Sequence, residues 1–144
     1  MILVSACLLG ENCKYSGKNN FNQKIVDFLR DKDYITVCPE VAGGLPTPRH
    51  PVELRAGKAV NDIGEDKTAE FKSGAMTVLD LCRKYQPELV ILKEGSPSCG
   101  VHQIYDGTFS GRKINGRGLT ASLLCENGYR VISDEDIKNC DTAE

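Results

Sequence analysis

Apolar positions follow two rhythms along this chain. Short continuous runs, such as Ile-Leu-Val at the start and Leu-Val-Ile-Leu near the middle, alternate with stretches whose apolar residues recur three and four apart. The first rhythm predicts a strand over 2–6, and a Gly- and Asn-rich loop from Gly10 to Asn20 follows. Phe21, Ile25, Val26, Phe28 and Leu29 predict a helix over 21–31, and 33–37 reads as a second strand. The stretch from Pro39 to Pro51 holds four prolines and two glycines, a composition that predicts no regular structure. It is long for a connection, and long ordered loops tend to carry function.

Residues 52–61 suit a small hairpin turning at Ala56 and Gly57. Phe71, Ala75, Val78, Leu79 and Cys82 make one apolar stripe on a helix over 66–85, ended by Pro87. Residues 88–93 have the continuous apolar character of a strand covered on both faces. An irregular hairpin over 103–116, a helix over 118–127 stopped by Gly128, and a strand over 129–133 complete the pattern. Ser133-Asp134-Glu135-Asp136 resembles the capped start of a short last helix. This alternation predicts an α/β fold, a mostly parallel sheet flanked by helices on both faces in a Rossmann-like three-layer arrangement. At 144 residues, with no repeat or linker, one compact domain is expected, its core over about 1–136 with a short C-terminal tail.

Charge narrows the function. Lys plus Arg number 18 against 20 for Asp plus Glu, a net charge of −2, so no basic field attracts nucleic acid. No apolar run approaches the roughly 20 residues of a membrane span. The N-terminus lacks the charged and long apolar regions of a signal peptide, so a cytoplasmic setting is expected, with neither nucleic acid nor membrane as partner.

Seven cysteines then change the picture. In that setting disulfides are not expected, and metal binding or catalysis becomes the better reading for some of them. Cys82 and Cys125 lie on helix-like stretches and read as small buried hydrophobes. Cys140 falls in the polar tail and reads as incidental. Cys7, Cys38 and Cys99 differ, since each follows directly on a strand-like run. In an open parallel sheet the loops after the strands gather along one edge, where ligands bind. Three thiolates are one short of the set that closes a zinc or iron–sulfur site, leaving one metal position open for chemistry. Cys13, in the same loop as Cys7, competes with it, and four thiolates together would close the site. Cys7 is preferred because it directly caps its strand.

Other residues qualify by company. Glu40 stands two residues beyond Cys38, with Pro39 stiffening the link, and suits a proton shuttle; the plainer reading is a solvated loop acid. Ser96 and Ser98 flank Pro97 just before Cys99, where a hydroxyl can donate to a substrate heteroatom or relay a proton, or merely shape a turn. Arg49 offers a forked guanidinium for the oxygens of a small ligand, or a tie for its own loop. His50 and His102 have no partner at metal-ligand spacing and are not expected to be ligands.

Three motifs together, Ser-Ala-Cys-Leu-Leu-Gly followed by Cys-Lys-Tyr-Ser-Gly, Cys-Pro-Glu-Val-Ala-Gly-Gly-Leu-Pro-Thr-Pro-Arg, and Lys-Glu-Gly-Ser-Pro-Ser-Cys-Gly, resemble the thiouracil desulfidase family. The resemblance runs from Met1 to about Asp136. It implies a small α/β protein holding a 4Fe–4S cluster by three cysteines only, Cys7, Cys38 and Cys99. It implies Glu40 and Ser96 as an acid–base pair, with Arg49 and Ser98 left as candidates for substrate binding. The implied reaction is desulfuration of a small thiolated base without net redox change. The fourth iron takes the sulfur of thiouracil, water cleaves the carbon–sulfur bond, and hydrosulfide is carried briefly on the cluster. Two other readings compete. One is a non-catalytic module in which four cysteines, Cys13 included, bind zinc or a closed cluster. The other is a metal-free enzyme with Cys99 as nucleophile, which lacks a histidine near any cysteine in the sequence.

Overall fold

A computed structural model describes residues 1–137. Its main sheet has four strands: β1 (Ile2–Ser5), β2 (Tyr34–Val37) and, further along, Leu89–Leu92 and Val131–Ser133. Between β1 and β2 runs α1 (Gln23–Leu29), and α2 (Pro39–Ala42) follows β2 directly. A hairpin of β3 (Val52–Arg55) and β4 (Lys58–Asn61) leads to α3 (Thr68–Tyr85) and then β5 (Leu89–Leu92). A second hairpin, β6 (Gln103–Tyr105) with β7 (Lys113–Asn115), precedes α4 (Leu119–Glu126) and β8 (Val131–Ser133).

The sheet order is β2-β1-β5-β8, and every pairing in it is parallel, with Val4 opposite Thr36 on one side and Ile91 on the other. Alternation along the central strands sorts the core into two layers. Leu3, Val90 and Leu92 pack with Val78, Leu79, Cys82, Ala121 and Leu124 of α3 and α4. Ile2, Val4, Leu89 and Ile91 pack with Ile25 and Leu29 of α1 on the opposite face. Full burial of each such aliphatic side chain contributes about 2 kcal/mol, so the two central strands need their continuous apolar runs. The chain leaves β1 toward β2 on one side and later returns to β5 on the other. That reversal makes a switch point, where the carboxyl ends of β1 and β5 diverge and open a crevice.

The α/β expectation holds, with helices on both faces of a parallel sheet. Ala56 and Gly57 turn the β3–β4 hairpin with φ of 51° and 80°, as expected of a two-residue turn. The last element is a single 3-10 turn over Asp134–Asp136, and Ser133 and Asp136 form its capping box. Cys82 is buried and Cys125 half-buried, while Cys140 lies outside the described residues.

One expectation fails. The Pro39–Pro51 stretch is not devoid of regular structure, because its first residues form the one-turn helix α2. Pro39 occupies the start of that turn, where its missing N–H costs nothing and its fixed φ suits a helix. Gly43 and Gly74 then let α2 and α3 touch backbone to backbone: a Cβ on Gly43 would strike the Glu70 carbonyl oxygen, and one on Gly74 the Pro39 carbonyl oxygen.

Candidate active site

Three strand ends deliver thiols to one crevice. β1 passes into a 3-10 turn, Ala6–Leu9, which holds Cys7. The Asn20 side-chain amide donates to Cys7 Sγ at 3.4 Å. Cys38 follows β2 as the residue immediately before α2, and its Sγ donates to the Cys13 carbonyl at 3.7 Å. Beyond β5 the chain tightens into a turn in which Ser96 Oγ accepts from the main-chain N–H of Ser98 (3.1 Å) and of Cys99 (3.0 Å). Cys99 Sγ accepts in turn from Ser5 Oγ at 3.7 Å, which ties the turn to the end of β1. Cys7, Cys13, Cys38 and Cys99 all line one cavity of about 600 Å³, together with Glu40, Arg49, Lys93 and Ser96.

The thiols are not alike. Cys13 lies between Cys7 and Cys38, its side chain a hydrogen-bonding neighbour of both. Its own thiol is pushed up by those two neighbours and by burial. The same bonds favour the thiolates of its neighbours. Cys38 is pulled to about 6, first by Cys13 and then, against burial, by the Val41 amide. Cys7 is lowered for the same first reason, with help from Asn20 and Lys93. Cys99 is fully enclosed, and burial pushes its thiol up.

Glu40 reaches the cavity from the first turn of α2. Burial raises its carboxyl above the usual range, opposed by the Arg49 guanidinium and by the neighbouring Ser96 hydroxyl. The Glu40 and Ser96 side chains, read from separate motifs, are therefore brought together. Arg49 spends its fork on the protein. Its Nε donates to Glu40 Oε1 (3.0 Å), one terminal nitrogen to the Cys13 carbonyl (2.9 Å), and the other to Pro46 O (3.1 Å) and Thr47 Oγ1 (3.2 Å). Ser98 does not join the cavity wall. Its hydroxyl is buried against Thr120 Oγ1 at 2.7 Å and clamps the turn to the start of α4. His50 and His102 stand elsewhere, 3.0 Å from Asp62 and 2.9 Å from Asp136.

Sequence spacing gave no sign of Lys93 or Asn20 in this wall. Lys93 follows β5 directly, and its Nζ donates to Glu94 O at 3.2 Å beside Asp134 Oδ2 at 3.7 Å. The strand-end position that singled out the cysteines applies equally to Lys93, so topology was the available signal. Asn20 is placed by the return of its loop, with its main-chain N–H donating to Cys7 O at 3.0 Å.

The donor set suits an iron–sulfur cluster. Thiolates are soft ligands, and Cys7, Cys38 and Cys99 come from three separate segments around a cavity wider than one ion needs. Among the described residues no group of three or more His, Cys, Asp or Glu converges on a single metal-ion position; the thiols ring the cavity wall instead. Ser5 and Asn20 donate to the sulfurs of Cys99 and Cys7, and the Cys13 side chain neighbours Cys7 and Cys38, the kind of surrounding that tunes the ligands of a cluster.

Comparison with known proteins agrees with this geometry. The model of the 2-thiouracil desulfurase family matches residues 2–136. YbbK, an uncharacterised protein of Bacillus subtilis (strain 168), is 44% identical over 149 residues, covering 96% of this chain and 99% of its own length. A solved structure of the 4Fe-4S-dependent thiouracil desulfidase TudS is 43% identical, covering 94% of this chain and 91% of that one with a TM-score of 0.89.

Proposed function

We propose a function from one premise: this chain belongs to the 2-thiouracil desulfurase family. It is a desulfidase that takes the sulfur from thiouracil or a related small thiolated base, with a 4Fe–4S cluster as cofactor. Cys7, Cys38 and Cys99 hold the cluster, and Cys13 stays a neighbour of the site rather than a fourth ligand. Bound through those three thiolates, the cluster would supply an open iron, a Lewis acid suited to a soft sulfur.

The chain's own groups do the proton work. Glu40 carries a proton more readily than a free glutamate because it is buried, which suits an acid that protonates a ring nitrogen. Once it has given that proton up, its carboxylate is stabilised by Arg49 and takes one back, through the adjacent Ser96 hydroxyl, from the water that attacks the carbon. Arg49 acts by aiming Glu40, since its donors are committed to Glu40, Cys13, Pro46 and Thr47. A cytoplasmic setting belongs to the same reading, supported by six described cysteines that are all free thiols.

The single observation that carries this reading is the convergence of three strand-end thiols with Glu40 and Ser96 on one cavity. Glu40→Gln and Ser96→Ala test it. Each variant, reconstituted anaerobically, is expected to keep its iron while kcat for 2-thiouracil falls by about 10²–10⁴-fold. Undiminished turnover in both would remove the acid–base assignment.

A further inference from the structure

The loop from β5 to β6 carries both Ser96 and Cys99, and Glu94 stands at its start. Only 6% of Glu94 is exposed. Its Oε1 accepts four main-chain N–H groups: Gly95 at 3.3 Å, Val101 at 2.8 Å, His102 at 2.9 Å and Gln103 at 3.1 Å. Its own N–H donates to Asp134 Oδ1 at 2.7 Å, which anchors the start of the loop to the residue following β8. One carboxylate oxygen thus ties the outgoing limb of the loop to the returning one. Everything between them, Ser96 and Cys99 included, is held inside that closure.

Burial works against the charge of Glu94, but the four amides outweigh it and keep its carboxyl below the usual range. Bonds to a charged acceptor are shorter and stronger than neutral ones. The second oxygen, Oε2, is buried with no hydrogen-bond partner. An orphaned acceptor of this kind is a net cost to the fold, and such groups in native proteins ask for an explanation. Nothing else in this loop offers the four amides a common acceptor.

We propose that Glu94 is a positioning residue of the site: by gathering four amides on one oxygen it holds Ser96 against Glu40 and Cys99 against the crevice. Glu94 borders the same cavity, but its Oε1 is committed to the four amides, so the role assigned to it runs through the loop. The proposal rests on the desulfidase reading for its kinetic readout alone.

The test compares Glu94→Ala and Glu94→Gln with the unaltered protein. In the apo state, Cys99 of the Ala variant is expected to react with N-ethylmaleimide about 10-fold faster, because the loop opens locally. Cys82, buried on α3 in the core against the sheet and α4, serves as the folding control and is expected to stay slow. After anaerobic reconstitution, kcat for 2-thiouracil is expected to fall about 100-fold in Glu94→Ala, as a displacement of reacting groups by an ångström does. KM should stay within about 3-fold, since a positioning role acts on kcat rather than on substrate binding. Gln keeps the accepting oxygen, so Glu94→Gln is expected to recover most of the lost kcat and of the Cys99 protection.

Unchanged Cys99 reactivity and kcat in Glu94→Ala would overturn the proposal. So would a Gln variant as impaired as the Ala one. Should Cys82 also become reactive in Glu94→Ala, that variant has unfolded and Glu94→Gln decides: retained protection of Cys99 supports the role, lost protection refutes it. Alkylation needs no substrate. Loss of Cys99 protection in a protein whose unaltered form turns over no thiouracil would uphold the positioning role and remove the desulfidase reading.

Discussion

Arg49 Nε lies 3.0 Å from Glu40 Oε1, and both side chains are largely buried, at 6% and 15% exposure. The pair joins the two sides of the cavity, because the same guanidinium also holds the Cys13 carbonyl at 2.9 Å. Arg49 thus fixes where Glu40 points and how easily it loses its proton, while keeping the loop of Cys13 near Cys38. A partner removed from such a pair leaves a buried charge uncompensated.

Arg49→Ala is therefore expected to cost about 3–5 kcal/mol at pH 8, read from urea denaturation. The sign of its pH dependence follows from Glu40. Its folded pKa is raised, so its contribution to stability is fully present at acid pH below the free-glutamate value of about 4.3 and is lost as pH rises through the folded pKa. Removing Arg49 raises that pKa further and widens the window of loss. The destabilisation should then be clearly smaller near pH 4.5 than at pH 8, and an equal cost at both would contradict the pairing.

The four cavity cysteines should separate on substitution. Cys7→Ser, Cys38→Ser and Cys99→Ser are each expected to lose most of the iron after anaerobic reconstitution. Cys13→Ser should keep it, because its hydroxyl still donates to its neighbours. Iron analysis beside an assay of sulfide release distinguishes an open three-thiolate site from a closed one built on Cys13.

Thiol chemistry in the apo-protein offers an independent reading. Cys38, pulled to about 6 by the Cys13 thiol, should be alkylated by iodoacetamide with a rate midpoint near that pH. Cys13→Ala removes the donor and should move the midpoint upward. Cys82, pushed up to about 11 by burial, should remain unlabelled in the folded protein. Mass mapping of the alkylated sites across a pH series measures all three.

Gly74 links stability to the site. An alanine there gains about 1 kcal/mol of helix propensity. Its Cβ would strike the Pro39 carbonyl oxygen, however, and overpacking of that kind costs about 1–3 kcal/mol. The clash should win. Gly74→Ala is expected to lower the urea midpoint and also to reduce turnover, since α2 carries Glu40 and follows Cys38 directly.

The parts of this molecule legible in its sequence are those governed by local pattern. Leu-Val-Ile-Leu at 89–92 reads as a covered strand because a strand buried on both faces must be apolar throughout. Placing Cys7, Cys38 and Cys99 after strands was enough to expect them at one edge, and they do line one cavity. Pro39 misled because the same residue breaks a helix from within and begins one at its first position. Ser98 misled for another reason. Along a tight turn, neighbouring side chains leave in different directions, and only packing against α4 turned Ser98 to Thr120 while Ser96 stayed in the cavity wall. Arg49 was open to two readings in the sequence, and the closeness of Cys13, Pro46 and Thr47 committed its fork to the protein. The place of Glu94 depended on amides as many as nine residues away meeting one oxygen, which no spacing rule conveys.

The most direct test of the central claim is anaerobic reconstitution with iron and sulfide, followed by metal analysis and incubation with 2-thiouracil. The account predicts about four irons per chain, as in the 4Fe-4S-dependent relative, with uracil and sulfide formed in equal amounts. A protein that takes up zinc alone, or that holds four irons through all four cavity cysteines and releases no sulfide, would contradict it.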